Sequence, residues 1–147
     1  MSDRGWPSLG TQGYGLQKLS WSGKLPFEIQ QMRATPSGFT LQFTTAVDLV
    51  AMAASPPQLR LSSYTYELHS AYGSDEMETQ ELVIPEFHFS DDGRYLHCRV
   101  DGLREGYVHE LHVEGLRSLA GTTLLHDVVY YTLLHIPTND EGFGIED

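Results

Sequence analysis

From Phe27 onward, apolar and polar residues alternate with period two, the spacing that sends every other side chain to one face of a β-strand. Phe27 and Ile29 alternate with Glu28 and Gln30, and Phe39, Leu41 and Phe43 alternate with Thr40, Gln42 and Thr44. The turn residues Thr35-Pro-Ser-Gly38 separate the runs, which predicts neighbouring antiparallel strands with one buried face. Asp48 precedes the short apolar run 49–54, and its carboxylate can accept the free amide hydrogens of a first helical turn. Pro56-Pro57 stops that helix after one or two turns. Residues 58–69 return to extended chain with Leu59, Leu61, Tyr64, Tyr66 and Leu68. The change of phase between Leu61 and Tyr64 predicts a bulge or a strand that changes sheets.

Residues 81–89 form the next run, in which Pro85 marks an edge or a break. Ser90-Asp-Asp-Gly93 has the composition of a hairpin turn and leads into a strand over 94–100. Asp101-Gly-Leu-Arg-Glu-Gly106 connects it to a strand over 107–113, and 115–123 reads as a polar, glycine-containing loop. Val128, Val129, Tyr130, Tyr131, Leu133 and Ile136 suit a last strand buried on both sides, ended by Pro137. About seven short strands with turn signals between them predict an all-β, immunoglobulin-like antiparallel sandwich with one short helix. The division that follows is an extended, glycine-rich linker over 1–24, a sandwich domain over 25–137 and an acidic tail over 138–147. Leu16, Leu19 and Trp21 are the linker's anchors for docking its second half on the sandwich.

Charge narrows the partners. Nine Lys and Arg against 20 Asp and Glu give a formal charge of -11, which repels phosphate backbones and anionic lipid headgroups, so neither nucleic acid nor membrane insertion is expected. No apolar run reaches the length of about 18 residues needed for a membrane-spanning helix, and no signal peptide opens the chain; for an exported protein the signal would lie upstream in a longer parent or have been removed. The single cysteine, Cys98, excludes an internal disulfide, a CxxC pair and a CxxCH haem attachment. It shares a strand face with Leu96 and Val100, the position of a buried apolar residue rather than a nucleophile.

His109-Glu-Leu-His112 differs from the HExxH zinc motif, which places two ligands on one helical face. Three residues apart on a strand, His109 and His112 point to opposite faces, so the motif supplies no metal site unless a distant histidine such as His97 or His135 joins one of them. Gly73-Ser74-Asp75 lacks the flanking pattern of a nucleophile elbow, and no phosphate-binding glycine loop occurs. Asp75, Glu76 and Glu78, and Asp91 with Asp92, read as solvated charge in turns rather than glycosidase carboxylates. Tyr64, Tyr66 and Tyr72 are the binding candidates: on an edge strand, Tyr64 and Tyr66 would share a face able to stack on a sugar ring, whereas period-two aromatics otherwise mark a buried face.

Two segments resemble bacterial immunoglobulin-like modules. Gly38-Phe-Thr-Leu-Gln-Phe-Thr-Thr-Ala-Val-Asp48 looks like their second strand, ending in valine-aspartate and a helical turn. Asp91-Asp-Gly-Arg-Tyr-Leu-His-Cys-Arg-Val-Asp-Gly-Leu-Arg-Glu-Gly-Tyr-Val-His-Glu-Leu-His-Val113 resembles the last hairpins of those modules and of fibronectin type III domains. The resemblance implies that His109, six residues after Leu103, stands where such sandwiches carry the tyrosine of a tyrosine corner, with a structural role for both residues.

Ser63-Tyr-Thr-Tyr66, Ala71-Tyr-Gly-Ser74, Gly102-Leu-Arg-Glu-Gly106, His109-Glu-Leu-His112, Leu124-Leu-His126, Tyr130-Tyr-Thr-Leu133 and Ile136-Pro137 together are similar to the C-terminal region of large exported bacterial proteins. Those proteins begin with a sorbosone-dehydrogenase-like propeller and often carry a c-type haem segment. The resemblance implies a periplasmic or extracellular accessory module that contacts neighbouring domains or another protein, with redox chemistry confined to the propeller and haem parts. Neither part is present in these residues, so no catalytic residue, cofactor or metal is carried over. The expected function is that of a non-catalytic accessory or interaction module. The alternatives are a carbohydrate-binding sandwich using the tyrosines, and an enzyme using His109 or His112 with Glu110 or Asp127.

Overall fold

Alternating segments become strands where each finds a partner for its backbone and a shared face for its apolar side chains. The computed structural model describes residues 18–67 and 73–138. Within them lie seven strands and one helix: β1 (Ile29–Thr35), β2 (Gly38–Phe43), α1 (Leu49–Ala54), β3 (Gln58–Tyr66), β4 (Glu76–Phe89), β5 (Tyr95–Asp101), β6 (Tyr107–Glu114) and β7 (Val128–Leu133). The strand order is β1-β2-β5-β4-β3-β6-β7, antiparallel at every pairing.

β4 serves both layers. Up to Leu82 it pairs with β3, from Val83 it pairs with β5, and its register shifts between Val83 and Glu86. Pro85 therefore marks the crossing of a continuous strand from one layer to the other, where a missing amide costs no ladder bond. With β4 shared, the order is that of strands A-B-E-D and C-F-G in an immunoglobulin-type sandwich. β1 and β7 also come into contact, so the two layers nearly close on each other.

The core lies between the layers. Phe39, Leu41, Phe43, Leu96 and Val100 from β2 and β5 face Leu61, Leu82, Leu111, Val113 and Leu133 from β3, β4, β6 and β7, all buried. Phe39 meets Tyr131 across the layers at 5.5 Å between ring centroids. Each such leucine or phenylalanine contributes about 1.5–3 kcal/mol on burial. One end is closed by α1, where Asp48 accepts from the Ala51 amide at 3.0 Å and Met52 is buried. The loop after β6 folds over the same end: Leu116 is buried, Ser118 bridges to Val47, and the Arg117 carbonyl accepts from the Asp48 amide at 2.9 Å.

Several elements differ from the sequence expectation. The first hairpin is tighter: Thr35 pairs with Gly38, and only Pro36 and Ser37 lie in the turn. Gly38 belongs to the strand, where a Cβ would sit 1.9 Å from the Cys98 carbonyl oxygen, so close backbone approach explains this glycine. β3 stays in phase, with Leu61 and Ser63 both on the core side; the bulge lies in β4, where Glu78 and Thr79 stand opposite Tyr64. Glu78 there takes φ 53, unusual for a residue with a side chain. β7 is a border strand, and Tyr130 is 58% exposed, so its apolar content does not reflect burial on both sides. Leu19 and Trp21 are 95% and 75% exposed, so these two anchors do not dock on the sandwich. Among the described residues, no helix is long and apolar enough to cross a membrane.

Candidate functional site

Among the described residues, two of the three buried polar side chains, Ser63 and His109, meet at the β5–β6 connection, while Ser118 lies in the loop after β6. β6 turns His109 into the core, fully buried, and its ring packs 5.3 Å from Phe39. Its Nδ1–H donates to the Tyr107 carbonyl at 3.2 Å, and Nε2 accepts from the Arg104 amide at 3.5 Å. A ring with two polar edges thus ties strand β6 to the loop that precedes it. Burial holds the imidazole below the ordinary histidine range; the Arg104 charge adds to this and the Tyr107 carbonyl opposes it. Leu103, half-buried in the same loop, packs against the core.

Arg104 extends the network outward. Its Nη1 donates to Ser63 Oγ at 3.1 Å and to the Glu78 carbonyl at 2.8 Å, and its guanidinium lies 3.5 Å from the Tyr107 ring centroid. The Glu78 carboxylate accepts from Arg104 Nη2 and from the Tyr107 hydroxyl. These bonds fasten the β4 bulge to the β5–β6 loop and to β3.

The other sequence candidates are scattered. Tyr64 is 3% exposed and faces outward with Ser62, Val108 and Glu110 rather than into the core. Its ring meets Tyr66 edge-on at 80°, and Tyr66 is half-exposed. Burial is the largest cause of the raised Tyr64 pKa. β3 sits between β4 and β6, so it is not the edge strand a stacking platform required, and two coplanar exposed rings are not presented by this pair. Tyr72 lies outside the described residues. His112 points to the outer face and meets Glu110 at 2.8 Å, away from buried His109. Cys98 is buried, and that burial pushes its thiol up to about 12, where nucleophilic thiolate is scarce at neutral pH.

His97, expected from the sequence only as a distant partner for His109 or His112, instead joins His88 on the outer face of β4 and β5. His88 pairs directly with His97, and their rings stack at 4.8 Å and 24°. Tyr95 continues the stack at 6.4 Å from His97, and Thr40 of β2 meets His97 Nδ1 at 3.0 Å. Thr35, Ser37, Glu86 and Arg99 complete a shallow depression of about 290 Å³ around them. Burial, followed by the neighbouring His88, lowers the pKa of His97. A symmetric count outward from a Ser90–Gly93 turn would set residue 88 opposite 95, whereas the observed register, with the Ser90 amide bonded to the Tyr95 carbonyl, sets it opposite His97.

No family model matches the chain, and no curated protein matches it in sequence. Among solved structures, the fold is similar to that of the S-layer protein rSbsC(31-844), with a TM-score of 0.50 and 17% identity over 74% of this chain. A structure of surface layer protein SbsC, domains 1-6, is similar to the same degree, with a TM-score of 0.50 and 17% identity. The chain spans 14% of the length of each, so the likeness is to one part of a much longer protein.

Proposed function

We propose that the chain is a non-catalytic accessory or interaction module of a larger exported bacterial protein, standing outside the cytoplasm and contacting neighbouring domains or a second protein. The observation that carries this reading is the use of the buried polar groups: His109 and Ser63 are bonded within the fastening of β4 to the β5–β6 loop, and Ser118 bonds Thr122 at 2.6 Å. None of these interactions poises an acid, base or nucleophile for a substrate. The fold likeness to parts of surface-layer proteins supports a setting outside the cytoplasm. The segments similar to the C-terminal region of propeller-bearing, haem-containing proteins support the same accessory role and leave redox chemistry to other parts of the parent.

The reading predicts that the purified chain shows no turnover of ester, phosphate, peptide or glycoside probes. Turnover that scales with protein concentration and disappears on substitution of His109 or His112 would overturn it in favour of an enzyme.

A further inference from the structure

We infer that His88 and His97 form a two-imidazole site for a divalent transition-metal ion on the outer face of β4 and β5, with water completing the coordination. The residues are direct cross-strand partners, so their Cβ atoms stand about 4.5–5.5 Å apart on one face, within the span that two imidazoles can bridge to one ion. The rings stack at 4.8 Å between centroids and 24° between planes, so the two imidazoles stand side by side on the same face. Thr40 supplies orientation. With the proton on His97 Nδ1 donating to Thr40 Oγ1 at 3.0 Å, the lone pair is left on Nε2.

Positive charge nearby is offset, because Arg99 is paired with Glu86 at 3.5 Å and with Asp101 at 3.7 Å. Among the described residues no cluster of three or more ligating side chains occurs, which restricts the site to two protein ligands. Two imidazoles with open positions suit copper(II) best and nickel(II) and zinc less, following the usual affinity order for nitrogen sites.

The test is titration of the metal-free full chain with copper(II), read by calorimetry and by electron paramagnetic resonance. The expected result is one strong site per chain with a two-nitrogen signature. His88→Ala and His97→Ala should each weaken it at least about tenfold, while His112→Ala leaves it unchanged. Thr40→Val should weaken it less than either histidine substitution. Because His88 is exposed, His88→Ala is expected to leave the fold intact, which circular dichroism checks. Retention of full affinity by the folded His88→Ala and His97→Ala variants, or only weak binding of several ions per chain, would overturn the assignment.

Discussion

The Arg104 guanidinium lies over the Tyr107 ring, 3.5 Å from its centroid, while the same group donates to Ser63 Oγ and to the Glu78 carbonyl. One side chain thus joins the β5–β6 loop to β3 and to the bulge in β4. Arg104→Ala should destabilise the fold by about 1–3 kcal/mol in urea denaturation, because a buried hydroxyl and a bulge carbonyl lose their donor. Arg104→Lys should recover less than half of that loss, since one ammonium cannot copy the planar fork. Glu78 is largely exposed, so the loss should change little with salt.

His109→Ala removes a fully buried ring and leaves the Arg104 amide and Tyr107 carbonyl without a partner. The expected cost is about 1–3 kcal/mol, and His109→Tyr should be the better tolerated change because it keeps an aromatic body and a polar tip. Denaturation midpoints in the order wild type, tyrosine variant, alanine variant check this.

The same histidine predicts a pH dependence. Its pKa lies below the ordinary 6.5 in the fold, so the unfolded chain binds the proton first as pH falls. This contribution is complete above pH 6.5 and is lost as pH drops from there toward the folded value, at no more than about 1.4 kcal/mol per pH unit. Between pH 6.5 and 5, His109→Tyr should lose stability less steeply than wild type, and the ring resonances of His109 should titrate below the ordinary range.

Gly38→Ala would place a methyl group 1.9 Å from the Cys98 carbonyl oxygen, at the ladder between β2 and β5. Separation of those strands should cost about 1–3 kcal/mol. Gly106→Ala meets no atom within 4 Å and is strained only through its φ of 81°, so it should cost less. Thermal unfolding of the two variants gives the comparison.

Local rules carried the sequence reading where one physical cause dominates. Asp48 before an apolar run and Pro56-Pro57 after it placed α1, and strict alternation through Phe39, Leu41 and Phe43 placed β2 and its buried face. The misreadings share another cause, since each depends on what the chain packs beside. Gly38 is a glycine because of Cys98, sixty residues later. Tyr64 looked out of phase because it is covered on the outer face while Ser63, polar but bonded to Arg104, fills the core-facing position. β7 resembled a doubly buried strand, but its place at the border of the order is set by topology. The His88 and His97 pair depends on a hairpin register two residues away from the one a Ser90–Gly93 turn implies.

Cys98 gives a further check on the packing. The native thiol should resist a thiol-reactive disulfide reagent and react fully once urea unfolds the chain. Rapid labelling of the folded protein would mean that the layer formed by β2, β5 and β4 opens far more readily than its buried residues imply.

The claim that these residues act as a module of a larger exported protein is tested most directly by cell fractionation with an antibody raised against the chain. The account predicts a single immunoreactive polypeptide substantially larger than 147 residues, recovered in the periplasmic or extracellular fraction. A species no longer than the chain itself, confined to the cytoplasm, would contradict it.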